Sequence, residues 1–325
     1  MKKPLSVNRL AWRLLDKLIE NADIYGVNVE ETEFGTTVVD AGVNVTGGFE
    51  AGRIITEICM GGCGKAEIIR QRYEDLDLPS IQIYSDHPVI ATLGSQFAGW
   101  QIKGKGYFAI GSGPARALAQ KPMEIYEQIE YKDHSDKAVV VLETEKPPPA
   151  ALTQRLAEDC AVSPNNLAVI LTPTTSIAGS TQVSGRIVET GIHKLCRLGL
   201  DASAIICASG DAPISPVHQK FARAMARTND AILYGGTAYY VVKDENEEKL
   251  KEIVNKAPSM ASRAYGRPFI EIFKEVKYDF YKIDPNLFAP AVVVITNSKT
   301  GNTFHRGRIN VEALIKSFEV DRNLL

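Results

Sequence analysis

Apolar positions at helical spacing open the chain. Leu10, Leu14 and Leu18 recur every fourth residue within 6–25, and Ser6 stands where a helix cap is needed. Gly26 ends that pattern, 27–33 alternates, and Gly35 followed by 36–40 predicts a hairpin or strand pair. Residues 41–52 are rich in glycine and small turn formers and predict a loop, while 53–60 reads as strand or helix. Strands are predicted at 66–71, 80–84, 97–103 and 106–110, with helix from Pro114 through Ala119 and again over 123–129. Further on, 137–143 reads as strand, 150–160 as helix and 166–171 as strand. Residues 172–185 are rich in Thr, Ser and Gly, and a helix carries on from them to Leu198. Strands at 204–208, 232–242 and 291–296 then alternate with helices at 217–227, 245–255, 268–276 and 311–317.

Strands that cluster early and alternate with helices later predict an α+β or mixed α/β fold rather than one doubly wound sheet. A length of 325 residues implies two domains at about 150 residues each. The sharpest break in composition is Lys146-Pro147-Pro148-Pro149, whose three prolines make a stiff connector or a lead-in to the helix at 150–160. It divides the chain into domains 1–146 and 147–325, a boundary that leaves room for either domain to recruit a distant segment.

Charge narrows the function classes. Thirty-seven basic against 39 acidic residues give −2, without the basic excess of a nucleic-acid or anionic-membrane binder. No apolar stretch follows Lys2 and Lys3, so no secretory signal is expected, and no run of about 18 uncharged apolar residues predicts a membrane span. The five cysteines, at 59, 63, 160, 196 and 207, contain one close pair, spaced one residue wider than a redox Cys-x-x-Cys. No second pair or histidine cluster completes a metal site, so thiols in a reducing cytoplasm are expected and no metal.

Familiar motifs fail. Before Gly64-Lys65 a phosphate loop needs glycine where Cys59 stands and a hydroxyl where Ala66 stands. Gly111-Ser112-Gly113-Pro114-Ala115-Arg116 begins like a dinucleotide loop, but Arg116 replaces its last glycine. That stretch still predicts a strand, a tight turn and a helix start. Ser112, Gly113, Lys105 and Arg116 are there candidates for holding an anionic group, against the simpler reading of a routine turn.

The segment 182–195 carries more. At 100° per residue, Val183, Ile187, Val188, Ile192 and Leu195 share one face, and Gln182, Arg186, Glu189 and His193 share the opposite one. On a solvated helix Arg186 and Glu189 would be an ion pair worth about 0.2–0.5 kcal/mol. In a pocket, the arginine would orient the carboxylate and set its proton affinity, making a general base.

These segments also carry a family resemblance. Ser6-Val7-Asn8, Val38-Val39-Asp40-Ala41-Gly42-Val43-Asn44 and Gly47-Gly48-Phe49-Glu50-Ala51-Gly52 appear in order. Glu57-Ile58-Cys59-Met60-Gly61-Gly62, Gly111 to Ala117 and Arg186-Ile187-Val188-Glu189 follow. Together they resemble methenyltetrahydromethanopterin cyclohydrolases, from residue 6 nearly to the C-terminus.

The resemblance implies a cytoplasmic one-carbon enzyme with two α/β domains, a substrate cleft between them, and a homotrimer. It implies a tetrahydromethanopterin carrier, or its dephospho form, as substrate, with no prosthetic group. The family's Arg-x-x-Glu pair falls on Arg186 and Glu189 as catalytic residues. Asp40, Asn44 and Glu50 become candidates for the pterin, and Gln182 for the substrate. A formyl or other group transferase on the same carrier, and a non-catalytic pterin- or phosphate-binding protein, are the competing readings.

Overall fold

The computed structural model describes residues 5–279, 282–321 and 323. The first half of the chain runs α1 (Val7–Glu20), α2 (Ala22–Tyr25), β1 (Asn28–Glu31), β2 (Thr37–Asp40), α3 (Phe49–Cys59), β3 (Lys65–Tyr73), β4 (Leu76–Ser85) and α4 (Pro88–Ala91). It continues through β5 (Trp100–Gly104), β6 (Tyr107–Ser112), α5 (Ala115–Ala119), α6 (Met123–Ile129), β7 (Ala138–Glu143), α7 (Ala150–Asp159) and β8 (Leu167–Leu171). Then come α8 (Ile177–Ser184), α9 (Ile187–Arg197), β9 (Ile205–Pro213), α10 (Phe221–Gly235), β10 (Thr237–Val242) and α11 (Glu247–Lys256). The last elements are α12 (Phe269–Glu275), β11 (Val292–Asn297), β12 (Thr303–Gly307) and α13 (Val311–Phe318).

These elements form two units, each assembled from two segments. One is Met1–Lys65 with Val89–Gln182; the other is Ala66–Pro88 with Val183–Leu325. A break at 146/147 does not separate them. The strands on either side of the proline connector, β7 and β8, pair in parallel with Ala138 opposite Leu167, so backbone hydrogen bonds hold both flanks in one sheet. The β3–β4 hairpin, by contrast, leaves the first segment and adds to the second unit's sheet, where β4 pairs with β9.

The first unit's sheet has the order β1-β2-β8-β7-β6-β5. Its centre is parallel, with β8 between β2 and β7. The runs Ala138–Leu142 and Leu167–Leu171 are buried throughout, as expected of parallel strands covered on both faces. On one face Val39, Val139, Val141, Ala168 and Ile170 meet α1 and α3. On the other, Val38, Val140, Leu142, Val169 and Leu171 meet Leu152 and Leu156 of α7. Ser6 caps α1 by accepting from the Arg9 N–H at 3.3 Å. The buried stripe of that helix is Val7, Ala11, Leu15 and Leu18, so Leu10 and Leu14 lie at its margin.

The second unit's sheet has the order β12-β11-β10-β9-β4-β3 and is antiparallel except between β10 and β11. The stretch 232–242, read as one strand, is divided: 232–235 completes α10, and only Thr237–Val242 is strand. An apolar run flanked by no polar alternation fits a buried helix as well as a strand, and here α10 packs among Phe269, Phe273 and Leu314. Within that cluster lies Asp230, whose carboxylate accepts from the Phe269 N–H and from the Ser317 hydroxyl. Complete burial pushes its pKa up to about 7. The edge strand β12 was not expected; its partner-facing alternation is too short and polar to stand out in the sequence.

Candidate active site

The helix expected to continue to Leu198 is two helices. It breaks after Ser184, where Gly185 and Arg186 turn the chain and Arg186 takes the N-cap place of α9. Glu189 follows at the third helical position, in the first turn, where unpaired N–H groups and the helix dipole favour a negative charge. Arg186 Nη1 lies 3.9 Å from Glu189 Oε2, with the side chains 11% and 8% exposed. That spacing is an ion pair but too long for a hydrogen bond between those two atoms. The solvated-helix reading of this pair is thereby removed: both groups are largely out of water.

What seats the pair is the strand beneath. Tyr240 on β10 is fully buried, and its hydroxyl donates to the Val188 carbonyl at 3.1 Å. Burial, with Glu189 nearby, holds its pKa well above the ordinary phenol value, so it remains a donor. Gly191 makes the approach possible, since a Cβ there would stand 1.8 Å from the Tyr240 oxygen. At the far end of α9, the Lys194 ammonium donates to the Asn286 carbonyl at 3.1 Å and its side-chain oxygen at 3.0 Å. His193, one turn beyond Glu189, is half-buried; desolvation and then the Arg197 charge lower its pKa to about 4, so it is neutral near pH 7. Gln182 is buried on α8 and not on the same helix as Arg186.

In the first unit the candidates divide differently. Asp40 ends β2 and its carboxylate gathers the following loop. Oδ1 accepts from the N–H groups of Gly42 (2.9 Å) and Val43 (2.6 Å), and Oδ2 from the Asn44 N–H (2.8 Å) and Nδ2 (3.1 Å). Asp40 and Asn44 thus shape that loop. Gly42 is needed there because a Cβ would come within 2.2 Å of Ser176. Glu50 is exposed on the first turn of α3, 3.0 Å from Arg53 Nε.

The anion site expected around Gly111–Arg116 does not form. Arg116 is fully buried; its Nε donates to the Lys121 carbonyl (2.7 Å) and its Nη1 to those of Leu93 (3.3 Å) and Ser95 (3.1 Å). Its guanidinium also lies over Phe97 and Tyr126, at 5.3 and 5.4 Å. The Leu93 and Ser95 carbonyls belong to a π-helical turn, Thr92–Gln96, that needs outside donors. Ser112 is buried with its hydroxyl donating to the Val141 carbonyl at 3.4 Å, and the Gly113 N–H donates to the Ser95 carbonyl at 3.0 Å. Lys105 sits at the exposed tip of the β5–β6 hairpin, the length of β6 away, about 17 Å at 3.4 Å per residue. These groups point into the fold or apart, and do not converge on one ligand.

All five cysteines are thiols, and burial pushes those of Cys63 and Cys160 up to about 12, out of reach of thiolate chemistry near neutrality. Among the described residues, no three His, Cys, Asp or Glu side chains are grouped to hold a metal ion, and no helix is long and apolar enough to cross a membrane. Tyr240 was missed because a tyrosine in a strand carries no signal until the helix packed on it is known.

Known proteins converge on the same segments. The family described as Cyclohydrolase (MCH) matches residues 6–318. The methenyltetrahydromethanopterin cyclohydrolase of Methanothermobacter marburgensis is 46% identical over 317 residues, covering 97% of this chain and 99% of its own. That of Methanocaldococcus jannaschii is 44% identical over 316 residues, covering 96% and 98%. That of Methanobrevibacter smithii is 42% identical over 321 residues, covering 98% and 99%.

Proposed function

The chain belongs to the cyclohydrolase (MCH) family, and we propose that it reversibly hydrolyses 5,10-methenyltetrahydromethanopterin to the 5-formyl compound, with Glu189 as general base. The observation that carries the mechanism is the Arg186–Glu189 pair, two largely buried opposite charges in the first turn of α9.

The chemistry asks little of the protein. The methenyl carbon, bonded to two nitrogens and cationic, is already electrophilic, so neither a covalent nucleophile nor a Lewis acid is required. A water must be positioned on it and lose a proton, which a carboxylate can accept. Glu189 takes that proton as the water oxygen bonds to the carbon. The carbon–N10 bond then breaks, N10 takes up a proton, the remaining hydroxyl loses one, and the formyl group stays on N5. One water is consumed and one proton released. In reverse, protonated Glu189 helps expel the water. Arg186 orients Glu189 and faces the forming formyl oxygen. A general-base contribution of about 10²–10⁴-fold suits a reaction whose electrophile is preformed.

The resemblance to the family also supports a cytoplasmic location, a homotrimer, and the absence of a prosthetic group. The carrier is tetrahydromethanopterin or its dephospho form.

The decisive experiment is to mix purified protein with methenyltetrahydromethanopterin alone and follow loss of the substrate's chromophore. Acceleration without any second substrate supports the proposal. A rate no faster than buffer overturns it, and a rate that requires an added acceptor assigns the chain to group transfer.

A further inference from the structure

Two contacts to the second unit's sheet bracket Arg186 and Glu189. Before the pair, the Ser184 hydroxyl donates to the Pro213 carbonyl at the end of β9, at 2.8 Å. Beneath it, the Tyr240 hydroxyl donates to the Val188 carbonyl at 3.1 Å, joining positions 52 residues apart. The two contacts do different work. Ser184 closes α8 and fixes where the turn begins. Val188 and Glu189 share one peptide plane, so a donor on the Val188 carbonyl restrains the plane from which the Glu189 side chain departs.

Helix formation does not call for this second donor. In an α-helix the carbonyl of residue 188 already serves the N–H of residue 192. A buried tyrosine does need a partner, which accounts for the hydrogen bond but not for the space made to reach it. A Cβ at Gly191 would stand 1.8 Å from the Tyr240 oxygen and 2.9 Å from the ring carbon that bears it. Ordinary contacts lie at about 3.5–4.0 Å, so any other residue at 191 requires a shift of more than about 1 Å. The closeness recurs one turn earlier. Ile187 is fully buried, and a Cβ at Gly236, just before β10, would come within 2.4 Å of its side chain. The start of α9 is therefore held at a height that β10 sets.

We propose that Tyr240 is a positioning residue for Glu189, with Gly191 as its complement. The phenol fixes the peptide plane that presents the carboxylate, and through it the distance from carboxylate to attacking water. The proposal rests on the cyclohydrolase reading and adds to it a residue that touches neither the substrate nor the reacting atoms. A general base works only within about 2.6–3.2 Å of the group whose proton it takes. A misplacement of about 1 Å, caused away from the chemistry, can cost about 10²-fold in rate.

The test follows chromophore loss and melting temperature for wild type, Tyr240→Phe, Gly191→Ala and the double variant. Tyr240→Phe keeps the ring and removes only the donor; it should lower kcat about tenfold with KM within about twofold. Gly191→Ala should lower kcat about 10²-fold. Adding Tyr240→Phe to Gly191→Ala should raise kcat about threefold or more, because the nearest clashing atom is gone, whereas independent losses would multiply. A Tyr240→Phe protein with wild-type kcat overturns the proposal, whether or not its melting temperature or KM moves. So does a double variant slower than Gly191→Ala. If Gly191→Ala does not fold, Tyr240→Phe alone decides. A wild type without turnover overturns the cyclohydrolase reading and this role with it, while an active wild type beside an unimpaired Tyr240→Phe overturns only the role of Tyr240.

Discussion

Two turns of this protein look alike in sequence and do different work. Gly111–Arg116 and Gly185–Glu189 both bring small residues and an arginine to the start of a helix. In the first, Arg116 donates to three backbone carbonyls and lies over two aromatic rings, with none of its surface exposed. In the second, Arg186 stands 3.9 Å from a carboxylate that shares its helical turn. The difference is in what the cation faces. Backbone carbonyls of an irregular turn are fixed acceptors that have no role in chemistry, so Arg116 is part of the fold. A neighbouring carboxylate can exchange a proton, and in the mechanism proposed above Arg186 serves that exchange.

That contrast can be broken by measurement. The largest effect should come from Glu189→Gln, which preserves shape and removes the proposed base. The kcat should fall about 10²–10⁴-fold, with the melting temperature within about 2 °C of wild type. A near-normal rate removes Glu189 from the mechanism, and a matching loss of stability makes the pair structural. Next is Arg116→Met, which keeps the apolar packing but leaves the Leu93, Ser95 and Lys121 carbonyls without this donor. A loss of about 3 kcal/mol in stability is expected, read as a lower urea midpoint, while KM of the folded fraction stays unchanged. A raised KM at normal stability would instead return Arg116 to ligand binding.

The smallest effect is a pH dependence in α9. His193, with a pKa near 4 in the folded protein, falls below its ordinary 6.5. The unfolded chain therefore binds more protons between those values. Its contribution is complete above about pH 6.5 and is lost as pH falls toward 4, by at most about 3 kcal/mol. Asp230, raised to about 7, gives a slope of opposite sign, its contribution being lost as pH rises from about 4 to 7. The measurable quantity is therefore the difference between His193→Gln and wild type in urea midpoint across pH 4–7. A flat difference removes His193 from the interior of the second unit.

Much of the secondary structure was legible because local signals agreed. Ser6 caps α1, Pro149 precedes α7, and the five-residue apolar runs 138–142 and 167–171 form the central parallel strands. Composition failed at the proline connector, since backbone pairing between β7 and β8 overrides a stiff loop. Periodicity failed at 232–242, because a run buried on every side has no polar phase to read. Of the site, Arg186 and Glu189 were visible as neighbours three apart, a relation that any helix enforces.

The sequence by itself determined the family, the mixed α/β class, the order of most elements and the Arg-x-x-Glu pair. These depend on contacts within a few residues or on motifs in linear order. Tertiary structure decided which polar groups are already engaged. It closed Asp40 around its own loop, enclosed Arg116 among carbonyls, and set Tyr240 under Val188. Those facts depend on partners distant in the chain, and hydrogen-bond saturation cannot be read until the partners have met.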